Sequence, residues 1–162
     1  ILEILKMFVI SSCLLGNNCK YNGGNNYSDE VAEFCRNHAV VLVCPETTGG
    51  LNSPRPPAEH HRIKMPGGNV EIRVIDKMGD DLTENFLKGA MASLEMVLKR
   101  SDELGEEIEG AILKANSPSC GCDQIYDGTF TGTLISGDGI FAKILKERGI
   151  PVMSEKNFKD KI

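Results

Sequence analysis

Three cysteines stand just beyond short apolar runs. Met7-Phe8-Val9-Ile10 leads into Ser11-Ser12-Cys13, and Val40-Val41-Leu42-Val43 leads into Cys44-Pro45-Glu46. Gly110-Ala111-Ile112-Leu113 leads into Lys114-Ala115-Asn116-Ser117-Pro118-Ser119-Cys120-Gly121-Cys122-Asp123. Each run reads as a buried strand, and strand exits are where open α/β sheets place their chemistry. Strands that lie parallel and adjacent would bring Cys13, Cys44 and Cys120 to one edge of the sheet. Thiolates that meet in space bind zinc or iron–sulfur clusters, whatever their spacing in sequence. The competing reading is small buried residues that fill space. The polar and glycine residues beside these three favour a metal. Cys120-Gly121-Cys122 is too tight for a zinc knuckle, and Cys19 and Cys122 stay open between the two readings. Cys35 lies on a helical apolar stripe and reads as core.

Groups for proton transfer and substrate contact surround these thiols. Glu46 follows Cys44 by two residues, behind a proline that stiffens the backbone. It suits proton transfer beside a metal; it equally suits a loop carboxylate paired with Arg55. Ser117 and Ser119 flank Pro118, as donors to a substrate or as turn formers. Ser53-Pro54-Arg55-Pro56-Pro57-Ala58-Glu59 must be extended and stiff, which fixes Arg55 and Glu59 as candidate substrate contacts. Gly23-Gly24 and Ser136-Gly137-Asp138-Gly139 offer backbone N–H groups to a phosphate, without a dinucleotide or Walker pattern. His60-His61 in this proline-rich stretch reads as exposed and idle rather than as a metal site.

The elements that would carry these groups follow from periodicity. Leu2 to Ile10 reads as the first strand, and residues 11–27 as a long functional loop. Ser28 caps a helix with Asp29 and Glu30 in its first turn and Val31, Phe34 and Cys35 as its stripe. The run Val40 to Val43 suits a strand covered on both faces, as in a parallel sheet. Val70 to Ile75 alternates as an edge strand or hairpin arm, with a turn at Lys77-Met78-Gly79-Asp80. Phe86, Leu87, Ala90, Leu94, Val97 and Leu98 predict a helix over about 83–102. Ile108 to Leu113 is a strand, Ile125 to Ile135 a polar excursion, Gly139 to Arg148 a helix stopped by Gly149, and Ile150 to Met153 a last strand.

The chain of 162 residues fits one domain with a real core. Eighteen basic against 23 acidic residues give a net charge of −5, which argues against a broad nucleic-acid face. Aromatics are only 6% and Trp is absent, so base-stacking platforms are poorly supplied. No apolar run approaches a bilayer span, and Ile1 to Lys6 lacks a signal-peptide pattern. Met7 reads as a start residue, with residues 1–6 an upstream extension. Six cysteines in a chain with long strand and helix patterns point to metal or catalysis in a reducing, cytoplasmic setting, not to disulfides.

The motifs Ser11-Ser12-Cys13-Leu14-Leu15-Gly16, Cys19-Lys20-Tyr21-Asn22-Gly23-Gly24 and Val43-Cys44-Pro45-Glu46 stand in order along the chain. They are followed by Pro54-Arg55-Pro56-Pro57-Ala58-Glu59, Asn116-Ser117-Pro118-Ser119-Cys120-Gly121 and Ile125-Tyr126-Asp127-Gly128-Thr129-Phe130. This series resembles the DUF523 family, which includes TudS-type thiouracil desulfurases, from about Met7 to Ile150. The resemblance implies a 4Fe–4S cluster on Cys13, Cys44 and Cys120, with one iron open to the sulfur of a thiolated base. It also implies an assisting Glu46 and Ser117. The stretch from His60 to Pro66 departs from the family, whose residues there are more apolar and acidic. Together, pattern and resemblance lead to a three-layer α/β domain over residues 1–162, with a mainly parallel, Rossmann-like sheet. The expected reaction is non-redox desulfuration of a small thiolated base or nucleotide at the strand C-termini. Macromolecular nucleic acid and membrane are not expected partners. The alternative is a non-catalytic metal-binding or redox-sensing module.

Overall fold

The structure is a computed structural model, and it describes residues 6–162. Residues 2–5 of the expected first strand, and with them nearly all of the expected upstream extension, lie outside the described residues. Along the chain run β1 (Met7–Ser11), a single 3-10 turn (Ser12–Leu15), α1 (Asp29–Cys35), β2 (Ala39–Val43) and α2 (Pro45–Thr48). Then come β3 (Ala58–Lys64), β4 (Val70–Asp76), α3 (Thr83–Leu104) and β5 (Ile108–Leu113). The chain closes with β6 (Gln124–Tyr126), β7 (Leu134–Ser136), α4 (Ile140–Glu147), β8 (Val152–Ser154) and α5 (Phe158–Lys161).

Four parallel strands form the central sheet in the order β2-β1-β5-β8. Every residue of β1 is buried, because β1 is interior and both of its faces are covered. Successive side chains leave a strand on opposite faces. Met7 and Val9 therefore join Ala90, Leu94 and Val97 of α3 and Phe141, Ala142 and Leu145 of α4. Phe8 and Ile10 join Leu14, Val31 of α1 and Phe158 of α5 on the other face. Helices on both faces of a parallel sheet make the three-layer α/β architecture that the sequence led us to expect. Ser28 caps α1 as expected, its Oγ accepting from the Val31 amide at 3.3 Å. β2 departs from the expectation: it is an edge strand, so Leu42 stays 36% exposed instead of covered on both sides.

Pro45 opens α2, where its fixed φ suits the first turn of a helix. This short helix lies directly on α3. A Cβ added at Gly89 would land on the Pro45 carbonyl oxygen, and one added at Gly49 on the Asn85 carbonyl oxygen. Only glycine lets the two backbones approach this closely.

Two antiparallel hairpins stand apart from the central sheet, and the sequence pattern conceals one strand of the first and both strands of the second. β3 pairs with β4 from Ala58↔Asp76 to Lys64↔Val70, so the stiff proline-rich arm continues into a strand. β6 pairs with β7 from Gln124↔Ser136 to Tyr126↔Leu134, within the stretch expected to be a polar excursion. β3 is hard to see in the sequence because Arg62, Ile63 and Lys64 project into solvent and break the alternation. No helix among the described residues is long and apolar enough to cross a membrane.

Candidate functional site

β2, β1 and β5 are adjacent and parallel, so their C-terminal ends share one edge. The 3-10 turn after β1 carries Cys13. Cys44 sits at the N-cap of α2, and the loop after β5 turns back to place Cys120. All three line one cavity of about 430 Å³, a size suited to a small ligand. All six cysteines are free. Among the described residues, only Cys122, Asp123 and Asp138 have three ligand atoms within 4.8 Å of one another. Cys13, Cys44 and Cys120 surround the cavity without closing to that single-ion spacing.

Their environments differ. The Cys19 thiol lies within hydrogen-bonding reach of both Cys13 and Cys44, and its hydrogen bond lowers the pKa of Cys13 against the effect of burial. Asn26 Nδ2 adds a second hydrogen bond to Cys13 Sγ at 3.4 Å. Cys19 likewise draws Cys44 down to about 6, opposed by burial and helped by Thr47. Cys19, the donor to both, is itself raised. Burial pushes Cys120 up to about 12, although the Ser11 and Ser119 hydroxyls oppose it. Nothing in the Cys19 motif announces this proximity. The residue reaches the cavity because the Asn-rich loop folds back, with the Asn26 amide donating to the Cys13 carbonyl at 3.0 Å.

Glu46 faces the same cavity from α2. Its Oε2 accepts from Ser119 Oγ at 2.8 Å, and its Oε1 lies 3.3 Å from Arg55 Nη2. Ser119 is buried; Ser117 Oγ accepts from the Cys120 amide at 2.8 Å and lies 3.4 Å from Ser119 Oγ. The serines thus shape the turn that carries Cys120, and Ser119 also joins it to Glu46.

The expected substrate contacts are otherwise engaged. Arg55 directs its donors to Glu46, the Asn52 carbonyl at 3.0 Å and the Cys19 carbonyl at 2.9 Å, so it clamps the site instead of offering a fork to an anion. Glu59 is buried, and its Oε1 accepts from the Gly128 and Phe130 amides at 2.9 and 3.1 Å. Gly23 and Gly24 lie outside the cavity lining, and their amides serve their own turn through the Lys20 carbonyl and Asn22 Oδ1. Lys20, Lys77 and Lys114 are the cations that line the cavity beside Arg55.

The remaining candidates separate cleanly. Cys122 lies outside the cavity and packs against the core beside Val152, with its Sγ 3.2 Å from the Val152 carbonyl oxygen. Asp123 and Asp138 beside it already share the Lys146 ammonium at 2.7 and 2.8 Å. Cys35 packs in the second core cluster, as its place on the α1 stripe suggests. His60 contradicts the expectation of an exposed, idle side chain: it is 2% exposed. β3 carries it inward, and its Nε2 lies 2.7 Å from the Pro118 carbonyl oxygen, between the two serines.

The sequence matches the 2-thiouracil desulfurase family over residues 8–157. It is 37% identical to the uncharacterized protein YbbK of Bacillus subtilis (strain 168), over 95% of this chain and 99% of that protein. A solved structure, that of the 4Fe–4S-dependent thiouracil desulfidase TudS, superposes with a TM-score of 0.78 at 32% identity. That alignment covers 96% of this chain and 94% of the solved one. With a match that runs through the sheet, both hairpins and every loop that borders the cavity, the chain belongs to the 2-thiouracil desulfurase family.

Proposed function

We propose that this protein removes sulfur from the thiocarbonyl of a thiouracil-like base, using a 4Fe–4S cluster held by Cys13, Cys44 and Cys120. The observation that carries this reading is the meeting of three free thiols with the Glu46–Ser119 pair around one small cavity. The donor set fits such a group. Thiolates are the usual ligands of iron–sulfur clusters, and three thiols spread beyond single-ion spacing suit an object several atoms across. Cys44 is already easily deprotonated, and a thiol that burial keeps protonated, such as Cys120, becomes a thiolate when a metal replaces its proton. When bound, such a cluster supplies Lewis acidity toward sulfur at the iron that no cysteine holds. A reducing cytoplasm suits a chain whose cysteines must all stay free.

The overall change is C=S plus water giving C=O plus hydrogen sulfide, with no change in the oxidation state of carbon. The chain has to accept a proton from the incoming water and return one to the departing sulfur. Glu46 is suited to accepting the proton of the water, since Arg55 holds the carboxylate in place and one oxygen remains in contact with a movable proton on Ser119 Oγ. Ser119 links Glu46 to the turn that carries Cys120, so a single hydrogen bond ties the proposed acid–base group to the thiol edge of the cavity.

Anaerobic loading with iron and sulfide, followed by incubation with 2-thiouracil and 4-thiouracil, tests the reading. The expected result is a brown protein with broad visible absorbance that releases sulfide as the thiocarbonyl band disappears. A colourless protein that holds one zinc, or a loaded protein that releases no sulfide from either base, overturns it.

A further inference from the structure

Phe130 stands in the left-handed region at φ +57°, where a bulky side chain is an outlier. Such a conformation persists only where its surroundings hold it. Here the holder is Glu59, whose buried Oε1 accepts from the amides of both Gly128 and Phe130. Gly128, at φ +97°, passes so close to β3 that an added Cβ would lie 2.7 Å from the His60 carbonyl oxygen. The Asp127 amide donates to the Thr133 carbonyl at 3.0 Å and closes the base of the loop. The loop is therefore rigid although it contributes little to either core cluster. Its aromatic ring lies 6.1 Å from the His61 ring, and Phe130 and Tyr126 line the same cavity as Cys13, Cys44 and Cys120.

Phe130 is partly buried at the wall of a cavity with both apolar and polar lining, and a buried carboxylate holds it there in an unfavourable backbone conformation. What this placement supplies is a flat apolar face of fixed orientation. A planar heterocycle can lie against such a face, whereas a puckered ring makes only partial contact. We propose that Phe130, with Glu59 as its positioning residue, is the stacking wall that selects planar unsaturated heterocycles over their saturated, puckered counterparts. This inference rests on the desulfuration reading for its substrate class, but its own content is ring planarity.

Equilibrium binding separates the two. Uracil and 5,6-dihydrouracil present the same pair of carbonyls and N–H groups and differ in ring planarity. Titrating each into the loaded wild-type protein by calorimetry is expected to show uracil bound more tightly. Phe130→Leu keeps apolar bulk at the same backbone position and removes the flat face. It is expected to weaken uracil by about 5- to 150-fold, the range that base–aromatic stacking implies, and to leave dihydrouracil nearly unchanged. Phe130→Tyr should restore the preference. Glu59→Ala should erode it while the visible absorbance per chain stays constant, and Glu59→Gln, which keeps an acceptor oxygen, should recover most of it. A wild-type protein without preference for uracil, or a Phe130→Leu protein with the preference intact, overturns the inference. Failure of the desulfuration reading shows separately, as absence of sulfide release from 2-thiouracil by a protein that still discriminates between the two rings.

Discussion

Glu46 illustrates how residue identity and residue role part company. Its place two residues after Cys44 makes it legible as an acid–base candidate, and the structure brings its carboxylate against Ser119 and Arg55. The pairing with Arg55 is the plainer of its two readings, and both arrangements are present at once: one oxygen faces the guanidinium, the other the serine. Glu46→Gln removes the basic oxygen and no thiol, so iron content and visible spectrum should persist while sulfide release falls by roughly 10²–10⁴. A variant that loses iron would make Glu46 a structural group; one that keeps near-full turnover would move the proton chemistry elsewhere. Cys13, Cys44 and Cys120 are legible because each follows a strand-like run. Cys19 is not, since its closeness to two of them comes from a long irregular loop whose path no periodicity reports.

The strands of the central sheet and the long helix α3 are readable because their burial is continuous or periodic. Of the hairpin strands only β4 is readable, from its alternation over Val70 to Ile75; β6 and β7 are three residues each, and β3, with one end in solvent, carries too few apolar residues to show a period. His60 is misjudged for the same reason. β3 delivers it to the loop of Cys120, where its Nε2–H donates to the Pro118 carbonyl and its buried Nδ1 has no partner among the described residues. Burial is the main cause that lowers its pKa, and Arg62 and His61 add to it; the Pro118 carbonyl opposes. The sign follows directly. Above the ordinary histidine value of about 6.5 both folded and unfolded chains are neutral here. As pH falls below it, the unfolded chain takes up the proton first, so stability declines until the folded pKa is reached. The slope is at most about 1.4 kcal/mol per pH unit. Urea unfolding of metal-free protein from about pH 7.5 to about pH 5.5 should show this decline, and His60→Gln, which keeps an N–H donor but does not titrate, should flatten it. Equal declines in the two proteins would remove His60 from the account.

At the scale of the whole molecule, the candidate site joins segments far apart in sequence across three adjacent strands. A cluster bound there is a crosslink that only the folded sheet can form, so loading should raise stability by mass action. At a free concentration a hundredfold above the dissociation constant the gain is about 2.7 kcal/mol. For a chain of this size that corresponds to a rise in Tm of roughly 5–10 °C, measurable by anaerobic circular dichroism. Cys120→Ser should lose most of the rise; an undiminished rise would place the cluster elsewhere. The same strand order bears on how the protein is made. β1 lies between β2, which leaves the ribosome soon after it, and β5, which must wait for both β3 and β4 and the whole of α3. At typical translation speeds, Cys13, Cys19 and Cys44 are therefore synthesised on the order of ten seconds before Cys120. During that interval the nascent chain carries these three thiols without Cys120, open to premature metal capture or oxidation, so a cluster on Cys13, Cys44 and Cys120 would form only after β5 and the loop behind it had been made.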